Sequence, residues 1–190
     1  MRDYPTAGQL YLYLDLHAHA GKRGSFIYGN FFEEISDQTH AMLYPRLIAM
    51  NTLNFDFNEC NFSEKLMKKK DKKGVSREGA GRVAIYRECP GLIHSYTLEC
   101  NYACGVVLNQ IEERYDIEKK KHIADTEAVL DPRTYQPYLF QDEDIVQYRF
   151  SGTIFHDIGR ACLVAVLDMI YANPNPRVSS MSDVKSDLTY

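Results

Sequence analysis

A histidine at the end of an apolar segment has a neighbour that suits metal chemistry. His17 ends the sequence Asp15-Leu16-His17, which closes the apolar run of residues 10–16. A metal-bound imidazole usually donates its second nitrogen to a partner such as a carboxylate, and Asp15 could be that partner. The same pattern also occurs at strand ends for structural reasons. His17 is therefore a candidate metal ligand, with a structural role as the alternative.

A glutamate inside a second apolar segment is the next candidate. Glu99 lies in SYTLECNY, where a buried carboxylate is costly unless it is paired, hydrogen-bonded or close to a metal. In the alternation of a strand, Thr97 and Asn101 share its side, while Leu98 and Cys100 face the other way. The segment predicts a polar strand face that lines a cleft, or else a half-exposed strand with a surface glutamate.

Arg82 closes the glycine-containing sequence Gly79-Ala80-Gly81-Arg82. Glycine allows a tight turn or a close approach of the backbone to a ligand, and the arginine fork suits a carboxylate. A turn before a helix explains the same residues equally well. Arg82 is therefore a candidate for binding a substrate carboxylate, with a simple turn as the alternative.

The segments that carry these candidates predict strands and helices in alternation. Residues 10–16 predict a strand buried on both faces, and residues 93–102 predict a second core strand. Helices are predicted over residues 42–50, where Pro45 is tolerated only near the helix start or at a kink, and over residues 153–171. This order of elements predicts an α/β fold.

Three other stretches are less regular. Residues 82–87 predict either a short helix or a strand. Residues 104–144 predict a long connection with one short helix, and residues 179–190 a disordered tail. We therefore expect one domain over residues 1–178, followed by that tail.

Composition excludes several classes of protein. The chain has 190 residues, a net charge of −4 and five cysteines without regular spacing, and its longest apolar run is far too short to span a membrane. We expect a soluble protein with reduced thiols in the cytosol and no nucleic-acid partner. The basic stretches at residues 65–73 and 119–122 predict solvated surface, or alternatively a rim that attracts an acidic polymer.

Several long motifs, in order, resemble one enzyme family. YLDLHAHAGKRGSFIYGN, MLYPRLIAMNTLNFDFNECNFSEK, EGAGRVAIYRE and IHSYTLECNY are similar to the cytosolic carboxypeptidases, and IGRACLVAVLDMIYANPNPR resembles the family's closing helix. The resemblance implies the C-terminal half of a metallocarboxypeptidase-type mixed sheet flanked by helices. It also implies a zinc-dependent hydrolase in the cytoplasm, with a possible association with microtubules, that removes glutamate from C-terminal or branched polyglutamate chains on tubulin or similar acidic-tailed proteins.

The resemblance also implies a role for each candidate residue. The family's third zinc ligand falls on His17, its general base on Glu99, and an arginine for the substrate carboxylate on Arg82; His19 has no ligand role. The first two zinc ligands of the family come from an H-x-x-E motif. None of the six histidines here has a glutamate three residues later, so we expect this chain alone to be inactive.

Two functions therefore follow from the sequence. In the first, the chain is part of an active deglutamylating carboxypeptidase. In the second, it is a metal-free, non-catalytic module that binds acidic protein tails through its basic segments. Half of a sheet would also leave an exposed strand edge, so we expect the chain alone to be poorly soluble.

Overall fold

The computed structural model describes residues 10–68, 81–106, 109–123, 140–142, 145–178 and 180–188. The strands are β1 (Leu12–His19), β2 (Ser25–Tyr28), β3 (His94–Asn101), β4 (Cys104–Val106), β5 (Arg114–Asp116), β6 (Lys121–Ile123), β7 (Phe140–Asp142) and β8 (Ile145–Arg149). The helices are α1 (Ile35–Asn51), α2 (Glu64–Met67), α3 (Gly81–Glu88), α4 (Gly152–Met169) and α5 (Met181–Ser186). Helices combined with mixed sheets confirm the predicted α/β class.

A three-stranded mixed sheet, in the order β1-β3-β2, carries His17 and Glu99. β3 pairs parallel to β1 and antiparallel to β2. Because side chains alternate along each strand, the sheet has a polar face and an apolar face. Tyr96 and Leu98 of β3 and Ile27 of β2 lie on the apolar face and are buried in the core.

The hydrophobic core fills the space between this apolar face and two helices. Leu43, Tyr44, Leu47 and Ile48 of α1 are buried against it, and α1 in turn packs against α4. The ring of Tyr44 stacks on the ring of Tyr96 with their centroids 5.2 Å apart. The core thus holds the sheet rigidly from one side and leaves its polar face available for chemistry. No helix in the described residues is long and apolar enough to cross a bilayer.

Pro45 lies well inside α1, so it is not near the helix start, the first of the two positions expected for it. A proline nitrogen cannot donate to the carbonyl four residues earlier, which is that of Ala41. The Tyr96 hydroxyl donates to this Ala41 oxygen at 2.8 Å. A side chain from the sheet therefore replaces the missing helical hydrogen bond, and it also links α1 to β3.

The strand predicted to be buried on both faces is instead an edge strand. β1 has a hydrogen-bonded neighbour only on its β3 side among the described residues, and Leu16 is 71% exposed. An exposed apolar edge is prone to intermolecular pairing. We therefore expect residues 1–190, expressed alone, to elute as aggregates in size-exclusion chromatography. A monodisperse sample with a cooperative thermal unfolding transition would contradict this.

The remaining predictions meet mixed outcomes. The helix over residues 153–171 is confirmed as α4, the helix over residues 42–50 as part of α1, and the strand over residues 93–102 as β3. Residues 82–87 form a helix, α3. The predicted connection over residues 104–144 contains short strands rather than a helix in its described part, with β5 and β6 pairing as a hairpin.

The predicted disordered tail is wrong for the described residues 180–188. α5 forms there because Met181 and Val184, three positions apart, both face the core and are buried. The Nζ of Lys185 also lies 3.2 Å from Nε2 of His40 on α1. The two apolar side chains at helical spacing could have indicated this helix, but the polar composition of the segment concealed them.

Candidate functional site

The structure brings the two candidate residues together on the polar face of the sheet. His17 of β1 and Glu99 of β3 are direct partners in the parallel register. Side chains at paired positions point to the same side of a sheet, so the imidazole and the carboxylate are neighbours. The predicted polar face is confirmed, since Thr97 and Asn101 share the side of Glu99.

Asp15 orients His17 as its position in the sequence predicted. Nε2 of His17 lies 3.0 Å from Oδ2 of Asp15, and the His17 side chain is 54% exposed. If Nε2 carries the proton in this contact, Nδ1 is the nitrogen with a free lone pair. A metal ligand needs such a nitrogen together with a carboxylate on the opposite nitrogen, so His17 has the arrangement of a single metal ligand.

His19 also lies on the polar face, because residues two apart on a strand share a side. Its Nδ1 accepts hydrogen bonds from the backbone nitrogens of Gly21 at 3.0 Å and Lys22 at 2.8 Å. Its ring packs edge-on against Phe26 with the centroids 5.5 Å apart. His19 thus shapes the turn after β1, and its Nδ1 is occupied by these two hydrogen bonds.

The Glu99 carboxyl is buried, with 9% of the residue exposed. Burial raises its pKa above the ordinary range because the charged form loses water. Electrostatic interaction with His17, His19 and Arg82 opposes this rise, whereas Asp15 adds to it. No hydrogen bond or ion pair to another described residue occupies the carboxylate. A carboxylate with these properties is suited to accept a proton during catalysis.

Arg82 lies over the same face at the start of α3. It is only 4% exposed. Its Nε donates to the Gly29 carbonyl at 3.4 Å, and its guanidinium carbon lies 5.8 Å from the centroid of the Tyr28 ring. Its own carbonyl accepts from Ser95 Oγ at 2.6 Å. The arginine is therefore a fixed cation beside the site, with little surface open to a bound molecule. Gly79 and Ala80 of the same motif lie outside the described residues.

Tyr28 and Tyr13 lie on this face and were not singled out from the sequence, and neither was Phe26, which pairs with Glu99 and shares its side. Tyr28 of β2 lies beneath the Arg82 guanidinium, and Tyr13 of β1 lies beside the start of α3. Both positions depend on how the strands pair, because Tyr28 is placed opposite Thr97 by the antiparallel register. Tyrosine is abundant in this chain, so residue type alone gave no signal.

Gly81 allows α3 to approach β1 closely. A Cβ at this position would lie 2.6 Å from the Tyr13 hydroxyl and 3.3 Å from Oδ2 of Asp15, the atom that contacts His17. We expect Gly81→Ala to lower the free energy of unfolding by about 1–3 kcal/mol, as overpacking does, and to displace Asp15. Chemical denaturation of the full-length protein measures the first effect.

The matched control is Gly159→Ala in α4, where a Cβ would meet nothing within 4 Å. Alanine is the better helix former, so this variant should be more stable by about 0.5–1 kcal/mol. Equal effects of the two substitutions would contradict a close approach at Gly81.

The described residues do not by themselves fit a complete metal site. They contain no group of three or more histidine, cysteine, aspartate or glutamate side chains able to hold a metal ion. His17 fits as one ligand, and the H-x-x-E motif is absent from the sequence. This part of the chain can therefore contribute to a zinc site but cannot form one alone.

Two surface cavities lie away from this face. One of about 410 Å³ is lined by Phe32 and Tyr86, among others, and a second of about 830 Å³ lies between Tyr115 and Arg177. Neither is lined by His17, Glu99 or Arg82. His17, oriented by Asp15, and the buried Glu99 meet instead on the polar face of the sheet. Of the basic stretch at residues 65–73, residues 69–73 lie outside the described residues.

Known proteins of one family are similar to this chain. Cytosolic carboxypeptidase-like protein 5 of Rattus norvegicus is 43% identical over 175 residues, which are 92% of this chain and 19% of that protein. The Danio rerio protein of the same name is 42% identical over 175 residues, 92% of this chain and 18% of its own length. Cytosolic carboxypeptidase 2 of Mus musculus is 31% identical over 123 residues, 62% of this chain and 13% of its own length.

No protein-family model matches the chain. The chain spans about a fifth of the length of the first two relatives. The similarity to them nevertheless covers nearly the whole chain. The chain belongs to the cytosolic carboxypeptidase family.

Proposed function

We propose that this chain is part of a zinc-dependent carboxypeptidase that removes glutamate from C-terminal or branched polyglutamate chains on tubulin or similar acidic-tailed proteins. The observation that carries the proposal is the pairing of His17 with Glu99 across β1 and β3, with Asp15 on the His17 ring. A residue of a type that binds metals and a residue of a type that accepts protons thus lie side by side.

Glu99 is the general base in this proposal. Its carboxylate accepts a proton from the water that attacks the scissile carbonyl and then passes the proton to the departing amine. Burial helps, because a raised pKa makes the carboxylate a stronger proton acceptor. His17 is one zinc ligand, and the other ligands come from a part of the protein that this sequence does not contain.

Arg82 is the proposed partner of a glutamate carboxylate of the substrate. The support is a cation fixed against the face that holds Glu99, within range to influence the Glu99 pKa. Its low exposure means that a substrate group would meet one edge of the guanidinium and not its whole fork. The names of the relatives suggest the cytoplasm, and binding to tubulin would place the enzyme on microtubules.

A second candidate function is a metal-free module that binds acidic tails. The absence of a complete metal-ligand set among the described residues favours it. The two proposals differ in what surrounds this sequence in the protein: the enzyme requires an H-x-x-E segment and the module does not.

One experiment separates them. The full-length protein that contains this sequence is purified, its zinc content is measured, and free glutamate is followed during incubation with a peptide ending in several glutamates. The enzyme proposal expects bound zinc and steady glutamate release that a chelator abolishes. Binding of the peptide with neither zinc nor release would favour the module.

A further inference from the structure

The loop between β1 and β2 places two cations at the end of the sheet that holds His17 and Glu99. Lys22 is already paired, with Nζ 2.5 Å from Oε2 of Glu59 and 4.9 Å from the centroid of the Phe26 ring. Arg23 is exposed and makes no hydrogen bond or ion pair with another described residue. Among the described residues, the loop therefore presents one positive charge, that of Arg23, without an ion-pair partner near this end of the sheet.

The same loop is held firmly against β3 by Asn101. The Asn101 side-chain nitrogen donates to the carbonyls of His19 at 3.2 Å and Lys22 at 2.6 Å. Its backbone nitrogen donates to the Gly24 carbonyl at 2.9 Å. Arg23 thus lies between two residues whose carbonyls are both fixed by Asn101, so its backbone has little freedom.

Further bonds close the loop from both ends. The Asn101 side-chain oxygen accepts from the backbone nitrogens of Ala103 at 2.9 Å and Cys104 at 3.0 Å, and Gly24 donates to the Cys104 carbonyl at 3.0 Å. Gly24 has a φ of 74°, which favours glycine. All four hydrogen-bonding positions of the buried Asn101 amide are used. The fold therefore fixes the conformation of this loop.

The pairing register of β2 with β3 sets the distance from Arg23 to Glu99 on the polar face. Phe26, three residues after Arg23, pairs with Glu99. An extended chain advances about 3.3–3.6 Å per residue, so the Arg23 backbone lies within roughly three residue lengths of the position opposite Glu99. In the proposed function, a substrate peptide that runs from Glu99 along β2 toward this loop would have its second or third upstream residue at a similar distance.

We propose that Arg23 is a specificity-determining residue that binds a carboxylate of an acidic peptide, two or three residues upstream of the glutamate that is released, and that Asn101 positions it. This inference rests on the proposed function and adds to it a contact for the substrate chain. A guanidinium pairs with a carboxylate through charge-assisted hydrogen bonds, which select strongly for acidic over neutral side chains.

The test uses the full-length protein carrying Glu99→Gln, so that binding is measured without turnover. Two fluorescent peptides share one C-terminal glutamate; upstream, one has glutamates and the other glutamines. We expect Arg23→Gln to weaken binding of the acidic peptide and to lower the acidic-to-neutral preference about tenfold, the loss of one charge-assisted contact. Arg23→Lys should retain part of that preference, since it keeps the charge but not the fork.

The matched control is Lys22→Gln, which removes the neighbouring cation that Glu59 already neutralises, and it should change the preference less than threefold. An unchanged preference in Arg23→Gln, or equal effects of Arg23→Gln and Lys22→Gln, overturns the inference. So does a parent protein that binds both peptides equally. Failure of the proposed function has a different signature: a protein with Glu99 intact that prefers the acidic peptide but releases no glutamate.

Discussion

Replacing Glu99 by glutamine in the full-length protein should lower the rate of glutamate release by about 10²–10⁴-fold, the usual contribution of a positioned general base. Glutamine preserves the size and the position opposite His17 but cannot take a proton. The buried carboxylate makes no hydrogen bond to another described residue, so the substitution leaves no partner unpaired. The loss should therefore fall on kcat and kcat/KM, with peptide binding retained.

A matched control comes from an exposed glutamate on α2. Glu64→Gln removes a carboxylate that pairs with Lys68 on the surface of α2 and should change glutamate release less than twofold, since such pairs contribute little. Steady-state assays of both variants beside the parent make the comparison. If Glu99→Gln kept more than a tenth of the parent activity, Glu99 could not be the general base.

The sequence was enough to find the two strands that carry His17 and Glu99. Apolar runs located β1 and β3, and the alternation around Glu99 identified a polar face that the register confirms. Each candidate alone was ambiguous, because a D-x-H and a buried glutamate both have structural explanations. Their direct pairing removes much of that ambiguity, and only the parallel register of β1 and β3 shows it.

The features that sequence reasoning missed all depend on contacts between distant segments. Pro45 is accommodated inside α1 because Tyr96, 51 positions later in the chain, donates to the carbonyl that proline leaves free. β1 has the composition of a central strand but lies at an edge of the sheet that the described residues form, since composition records what a strand can bury and not what covers it. α5 was concealed in a polar segment because two buried side chains suffice to dock it.

The hydrogen bonds beneath Pro45 also make the fold sensitive to acid. The single hydroxyl proton of Tyr96 is donated to the Ala41 carbonyl, so the phenol oxygen must accept from Nδ1 of His94, 2.9 Å away. His94 is buried beside Tyr11, with ring centroids 5.1 Å apart. Burial, with a smaller effect from the charge of His40, lowers the pKa of His94 from 6.5 to about 4. His94 is therefore neutral in the folded protein at neutral pH.

The sign of the effect on stability follows from this pKa. In the unfolded chain His94 takes up a proton near its ordinary pKa of 6.5, whereas in the folded chain it does so only near 4. Between these values the unfolded state binds more protons, so stability falls as pH falls. A difference of about 2.5 pKa units corresponds to a loss of about 3 kcal/mol between pH 7.5 and pH 4. Above pH 7 this group contributes no pH dependence.

His94→Phe should remove this component while keeping an aromatic ring against Tyr11. At pH 7.5 the variant loses the hydrogen bond to Tyr96 and should be less stable by about 1 kcal/mol. At pH 4 it escapes the protonation penalty and should be the more stable protein, so the two stability curves cross. Hydrogen–deuterium exchange of β3 amides in the full-length protein, corrected for intrinsic exchange rates, follows opening of this core.

His156→Gln, at an exposed position on α4, is the control and should leave the pH dependence unchanged. Parallel curves of stability against pH for His94→Phe and the parent would show that His94 is protonated as readily in the folded chain as in the unfolded one. The hydrogen bonds from His94 through Tyr96 to α1 would then need another explanation.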